Sequence, residues 1–327
     1  MQGRLHGGGD SLTRYVIRRI LIAVPVLLGI TVLSYLCMRL APGSPIDLLV
    51  DPNATAAEIE RQRHLLGLDQ PVVIQYFKWL GQLLHGELGY SMRSSKPVIN
   101  LILARIGPTA LLAGTSLVIA YVVGIPLGVL SATRAYTLWD YGSMTLAFLA
   151  AAIPNFFLGL VAIYVFSVKL KMLPLGGMYD PGTRPGVLAL TTHLIMPALV
   201  LAGAQLGALI RQVRSAVLET LNEDYVRTAR AKGVAEQKVL YKHALRNALV
   251  PIITLFGLSL PFLVGGSVVT EQVFSWPGLG TFMIQSIGSR DYPAIMGVTV
   301  LIAIAVLIGN LLTDLAYGLA DPRIRYE

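Results

Sequence analysis

Six stretches of this chain run for about twenty residues or more without a charged side chain: Ile20–Met38, Ile106–Thr133, Tyr141–Val168, Leu188–Ile210, Leu249–Thr270 and Tyr292–Thr313. A helix rises about 1.5 Å per residue, so roughly 20 apolar residues cross a bilayer core of about 30 Å. Inside lipid a helix satisfies its own backbone amides and carbonyls, which an open strand does not. The expectation is an all-α, polytopic membrane protein: one transmembrane domain over 1–327 with helices at about 17–39, 106–133, 141–168, 188–210, 249–270 and 292–314. Composition agrees. Only 13% of residues are charged, against about 25% in soluble domains, and the mean hydropathy is +0.66.

Charge sets the orientation. With the N-terminus in the cytoplasm, fifteen Lys and Arg fall on the cytoplasmic side, including Arg14, Arg18, Arg19, Arg134, Arg211 and Arg214. The two short outer loops carry four: Lys169, Lys171, Arg184 and Arg290. The positive-inside bias therefore places both termini in the cytoplasm. The first apolar run has a basic start, but it is longer than a signal-peptide core and no A-x-A-like site precedes "RLAPGSP"; it reads as a retained span. The single cysteine, Cys37, excludes a disulfide framework within the chain and reads as a small buried hydrophobe.

Two segments outside the spans have local structure written into them. In the loop 40–105, "TAAE" at Thr55–Glu58 has the pattern of a capping box, with a short helix ending near Leu66 at Gly67. Pro71 opens a second helix whose apolar face carries Val72, Val73, Tyr76, Phe77, Leu80, Leu83 and Leu84. It reads as a lid on the bilayer or bundle, or as a platform for an external partner. Glu271–Pro293 joins the last two spans. Its Trp276-Pro277-Gly278 reads as a turn with rings at the headgroup level, either a re-entrant loop or a gate.

The stretch "NEDYVRTARAKGVAEQKVLYKHALRNALVP", Asn222–Pro251, is the soluble-looking exception. It falls in the cytoplasmic segment 211–248. Asn222, Glu223 and Asp224 provide an acidic, capping-type start. A short helix over 225–232 then ends at Lys232-Gly233, a basic last turn followed by a glycine suited to the left-handed C′ position. A second helix begins near Glu236, with Lys238, Lys242 and Arg246 on one face. Three readings compete: a topology signal that also binds anionic lipid, a nucleic-acid site, and a docking element for a cytoplasmic partner. Nucleic acid fits poorly, because no aromatic residues interleave the bases and the stretch lies against the membrane. The glycine and caps favour docking, since topology needs charge but not shape. Small Ala229 and Ala231 would permit close approach.

At these residues the chain resembles the inner-membrane permease subunits of bacterial ABC importers, in the dipeptide/oligopeptide/nickel group. The elbow is similar to that family's EAA loop, with Arg227-Thr228-Ala229 in the EAA positions and Gly233 in place of the loop glycine. It departs from the general motif in two ways: arginine replaces the leading glutamate, and Leu249-Val250-Pro251 comes late. Both departures resemble the peptide group, where "EDYVRTARAKG" and "HALRNALVP" are typical. "GLDQPVVIQYFKWL", "HGELGYS", "TEQVFSWPGLG", "RDYP" and "ADPRIRYE" extend the resemblance over nearly the whole chain, and the long first loop resembles the B-type subunit. The resemblance implies an ABC importer type I permease-like fold at the bacterial inner membrane. It implies no enzyme and no cofactor on this chain, with ATP and Mg on two partner ATPases. It further implies a second homologous permease and an extracytoplasmic substrate-binding protein. ATPase coupling would fall to Asp224, Tyr225, Arg227, Thr228, Ala229, Arg230, Lys232 and Gly233.

The bare sequence agrees in one respect. No lysine follows a glycine, so no G-x-x-x-x-G-K-[ST] phosphate loop exists, and energy has to enter from another chain. The alternative is a stand-alone carrier or channel, for which the spans offer almost no buried acid–base relay. Pro154-Asn155, Pro197, Pro251, Pro261 and Gly265-Gly266 mark helix irregularities, either packed kinks or pathway segments. His193 and Asp314 read as interfacial polar residues. No G-x-S-x-G or comparable catalytic set appears.

Overall fold

The computed structural model describes residues 8–40, 46, 54–183, 185–240, 245, 252, 255–257, 259 and 267–320. Its ordered elements are helical. They are α1 (Gly8–Leu40), α2 (Ala56–Leu65), α3 (Val72–Leu84), α4 (Val98–Thr133), α5 (Leu138–Ala152), α6 (Asn155–Ala162), α7 (Val187–Leu221), α8 (Asp224–Ala231), α9 (Glu236–Lys238), α10 (Leu279–Gly288) and α11 (Tyr292–Ala320). A π-helical segment, Ile163–Lys169, continues α6. Four helices (α1, α4, α7 and α11) are long and apolar enough to cross a membrane. The fifth candidate is a pair, α5 and α6 with its π extension, bent by 99°. Pro154 sits at the break as the residue before α6, where a missing amide and a fixed φ end one helix and start the next. Pro25, Pro108, Pro126 and Pro197 lie inside continuous helices. Most of the apolar run 249–270, with Pro251, Pro261 and Gly265-Gly266, lies outside the described residues, as do Arg184, Lys242 and Arg246.

The chain divides into two compact units, 1–107 with 277–307 and 108–276 with 308–327. In the first, Val98 and Ile102 of α4 pack with Leu279, Phe282, Ala294 and Val298. Alongside, Tyr35 and Met38 of α1 pack with Tyr292, Ile295 and Met296. The helix α3 lies on α1: Thr31 Oγ1 and Tyr76 Oη are 2.9 Å apart, and Tyr35 Oη donates to Gln75 Oε1 at 3.3 Å. Val73, Phe77 and Leu84 on its other side stay exposed. Thr55 does precede α2, but its side chain makes no cap hydrogen bond. No residue of α2 is buried, so water can serve its free amides and the capping-box bonds do not form. Cys37 is exposed rather than buried. On a helix facing hydrocarbon an apolar side chain has no reason to turn inward, and much of α1 is exposed in the same way.

In the second unit α5 packs along α7. Gly207 allows it: a Cβ there would lie 2.4 Å from the Ala147 carbonyl oxygen, the close backbone approach that small residues give between membrane helices. Trp276 is fully buried, packed with Leu112, Leu194, Ala198 and Leu201. Its Nε1 donates to the Pro108 carbonyl at 2.9 Å, and Thr109 Oγ1 donates to the buried Glu271 Oε1 at 2.7 Å. The Trp276 ring is therefore a core anchor, with its one polar atom satisfied by the Pro108 carbonyl. His193 is likewise buried, with Nδ1 2.7 Å from the Ala189 carbonyl and Nε2 3.5 Å from Asp180 Oδ1.

Candidate functional site

The helix α7 does not stop where its apolar run stops. It continues past Ile210 through Arg211 and Arg214 to Leu221. The turn at Asn222 and Glu223 then starts α8, with Glu223 extended at φ −67 and ψ 147. Asn222 belongs to the end of α7, where its Nδ2 donates to the Leu218 carbonyl at 3.0 Å. Neither acidic side chain caps α8 by a hydrogen bond; their contribution is charge at the positive helix end.

The other end of α8 is closed by geometry that only glycine adopts freely. Gly233 has φ +75. Its amide donates to the Arg230 carbonyl at 2.9 Å, and the Val234 amide donates to the Ala229 carbonyl at 3.2 Å. These two bonds, from C′ to C2 and from C″ to C3, make a Schellman motif. The turn folds Val234 back over a small core of Val226, Ala229 and Val239, with Leu221 beside it. An ion pair closes the elbow from outside: Arg230 Nη2 donates to Glu236 Oε1 at 2.6 Å and Nε to Oε2 at 3.2 Å. The Glu236 carboxyl is held below its ordinary range, mainly by that hydrogen bond, and the Arg230 guanidinium is held above its own by the same contact.

Of the residues expected to couple to a partner, Asp224, Tyr225, Arg227, Thr228, Arg230 and Lys232 are exposed on α8 and its cap. Ala229 is not; it is buried in the elbow core. Its small side chain serves the approach of Val239 rather than an outside surface. Arg227 Nη1 lies 3.7 Å from Asp224 Oδ1, one turn away. Thr228 Oγ1 donates to the Asp224 carbonyl at 2.8 Å. The outer face is therefore basic and polar over a rigid frame, suited to an acidic or amide-rich groove. Among the described residues no three His, Cys, Asp or Glu side chains gather as a metal ion needs.

A second polar cluster lies at the base of the elbow, and sequence reading missed it. Asp140, at the start of α5, is buried. It accepts Arg214 Nε at 2.8 Å and Nη2 at 2.7 Å, the Tyr136 amide at 2.8 Å, and the Ser131 hydroxyl. One carboxylate thus ties α4, the turn after it, α5 and α7 together. A signal was present: Asp140 is the only acidic residue between Glu87 and Asp180.

With this geometry in place, comparison with known proteins is direct. The pattern of the binding-protein-dependent transport system inner membrane component matches residues 124–326, and the N-terminal pattern of such membrane components matches 12–113. The oligopeptide transport system permease protein AppB of Bacillus subtilis is 48% identical over 316 residues, 96% of this chain and 100% of the relative. A putative peptide permease of Brucella suis is 47% identical over 317 residues, 96% of this chain and 99% of its own. The di/tripeptide transport system permease protein DppB of Pseudomonas aeruginosa is 38% identical over 336 residues, 96% of this chain and 99% of its own. The inward-facing MetNI methionine ABC transporter has a similar fold, with a TM-score of 0.55 at 22% identity over 68% of this chain and 97% of that one. Long apolar helices and a capped polar elbow, matched over nearly the full length, place this chain in the family of binding-protein-dependent transport system inner membrane components.

Proposed function

We propose that this chain is the B-type permease subunit of an importer for di- or oligopeptides, and that α8 with its Gly233 cap carries the ATPase stroke into the membrane. The chain is an ABC importer permease, a multi-pass inner-membrane component and not an enzyme. The observation that carries the peptide reading is the near full-length match to permeases named for oligopeptides and di/tripeptides.

The proposed assembly has a second homologous permease, two cytoplasmic ATPases that bind ATP and Mg, and an external binding protein. Both termini face the cytoplasm, on the charge asymmetry of the loops. When the ATPases close, the exposed face Asp224, Tyr225, Arg227, Thr228, Arg230 and Lys232 moves with them. A lever has to be stiff at its fulcrum. Here the small core and Schellman turn stiffen the elbow. The unbroken α7 joins it to the membrane, and the Asp140–Arg214 cluster clamps α7 to α5. The opening of the pore alternates as the two permeases rock.

The test is purification of the tagged chain in mild detergent, identification of what travels with it, and reconstitution in vesicles. Two Walker-motif ATPases, a second permease and ATP-dependent uptake of trialanine are expected. Recovery of this chain alone, transporting without nucleotide, would overturn the reading in favour of a carrier.

A further inference from the structure

The uncharged run of α1, Ile20–Met38, is about 28 Å long at roughly 1.5 Å per residue, close to the thickness of the hydrocarbon core. Arg39, the next residue, therefore sits at the headgroup level, at the end of the span opposite Arg14, Arg18 and Arg19. Its guanidinium lies 5.5 Å from the ring centres of both Tyr35 and Tyr292, two buried tyrosines. Nη2 also donates to the Tyr35 hydroxyl at 3.3 Å. These contacts fix a positive charge in place without neutralising it, and among the described residues no carboxylate pairs with Arg39. Two carboxylates close in sequence to its surroundings are engaged elsewhere. Asp69 Oδ2 lies 2.7 Å from His64 Nδ1, and Asp291 accepts the Met92 amide at 3.0 Å and the Ser91 hydroxyl. Arg39 lines a cavity of about 210 Å³ with Gln75, Lys78 and Gln82 of α3, and no acidic side chain among the described residues joins them. The volume is below that of cavities that take a whole small molecule, roughly 300–1,000 Å³. Lys78 is exposed. Ile74, one turn before it on the same flank of α3, is 46% exposed, and Phe77 is 62% exposed. That flank thus passes from bare apolar side chains to a cation and then into the pocket.

We infer that this pocket holds the phosphate of an anionic phospholipid, whose acyl chains lie along Ile74 and Phe77. The inference does not depend on which solute the chain helps to carry. A phosphate takes charge-assisted hydrogen bonds from a guanidinium and an ammonium, and basic pockets at the membrane surface suit anionic headgroups. The exposed carboxamide of Gln82 adds donors and an acceptor for headgroup hydroxyls. A soluble anion gains the polar contacts alone. A lipid gains those and also covers the apolar flank, as an interfacial helix requires. The bound lipid bridges α1 and α3, beside the contacts that Thr31 and Tyr35 already make with Tyr76 and Gln75.

The test uses the full chain, purified in a neutral detergent with whatever travels with it. Phosphatidylglycerol is titrated in against a background of phosphatidylcholine, and bound lipid is counted by native mass spectrometry. Wild type is expected to keep one more phosphatidylglycerol per copy of this chain than Arg39→Gln does. Lys78→Gln, at an exposed side chain, should weaken that lipid by roughly fivefold, the worth of one basic residue at a membrane surface. Equal retention by wild type and both variants overturns the inference. Phosphatidylcholine competing as well as phosphatidylglycerol overturns it too, because apolar contact alone would then hold the lipid. Glycerol 3-phosphate is the soluble control. If it releases the lipid at equal concentration, the pocket takes free phosphate and the lipid assignment falls. Should Arg39→Gln be absent from the membrane, Lys78→Gln and Lys78→Glu carry the test, and unchanged retention in both overturns the inference.

Discussion

Arg214 and Arg230 each grip one carboxylate through Nε and Nη2, yet the two forks live in opposite surroundings. The Asp140 side chain is 4% exposed and Arg214 21%, whereas Glu236 is 66% exposed and Arg230 42%. The first joins residues 74 apart in sequence, the second residues six apart. A buried charge without its partner keeps its desolvation cost, so breaking the inner fork is expensive. An exposed pair competes with water and salt, and its median worth is small. The same chemistry thus clamps helices in one place and trims an already formed turn in the other. The elbow owes its shape to Gly233 and the Val226 core instead.

The largest expected effect is at the inner fork. Asp140→Ala strands Arg214, the Tyr136 amide and Ser131 together. We expect about 3–5 kcal/mol of destabilisation, read as a fall in thermal unfolding temperature in detergent. Pairing Asp140→Leu with Arg214→Met removes both charges and should recover most of that loss. A double variant as unstable as the single one would mean that the Tyr136 and Ser131 contacts, not the ion pair, hold the α5–α7 joint.

Next is the elbow's hinge. Gly233→Pro imposes a negative φ where the turn has +75 and deletes the amide that donates to Arg230. Transport should be abolished with the protein still in the membrane. Gly233→Ala keeps the amide and pays only the left-handed strain of about 1–2 kcal/mol, so transport should be reduced but present. Normal transport by the proline variant would remove α8 from the coupling path. The elbow core comes third: Val226→Ala should cost about 2 kcal/mol locally, measured as faster amide exchange in 224–239 with exchange across α5 and α7 unchanged.

These regions also differ in how readable they were. The elbow's α8 and its glycine turn were legible because helix ends are local chemistry: a basic last turn, then glycine, within three residues. The long spans were legible because lipid demands a run of apolar residues whatever the neighbours are. The Asp140–Arg214 clamp was not, since nothing local distinguishes a topology-setting arginine from one that reaches a carboxylate 74 residues away. The burial of Trp276 was hidden for a related reason. An aromatic next to Pro-Gly suits a headgroup belt, but the Pro108 carbonyl that accepts its N–H lies 168 residues away. The 99° break at Pro154 exceeds what one proline dictates, since Pro197 and Pro126 sit in unbroken helices. Ala229 was assigned to the partner surface because its smallness was visible and its direction was not.

The smallest effect sharpens the comparison most. Glu236→Gln keeps the shape of the side chain and removes its charge from the outer fork. Because the pair is exposed, the expected loss is about 0.2–1 kcal/mol, and added salt should shrink it further. The pH dependence has a definite sign. The folded-state value of Glu236 is depressed, so the wild-type pair contributes above the ordinary carboxylate range and its contribution is lost as the pH falls through that depressed value. Between neutral and mildly alkaline pH, wild type and variant should differ by a constant small amount. Below the carboxylate range they should converge. Amide exchange of 229–236 against pH reads this directly. A large loss at neutral pH, or one that salt does not reduce, would mean that the outer fork is not a trim on a formed turn. It would then clamp the elbow as Asp140 clamps the helices, and the fulcrum of the lever would sit at Arg230.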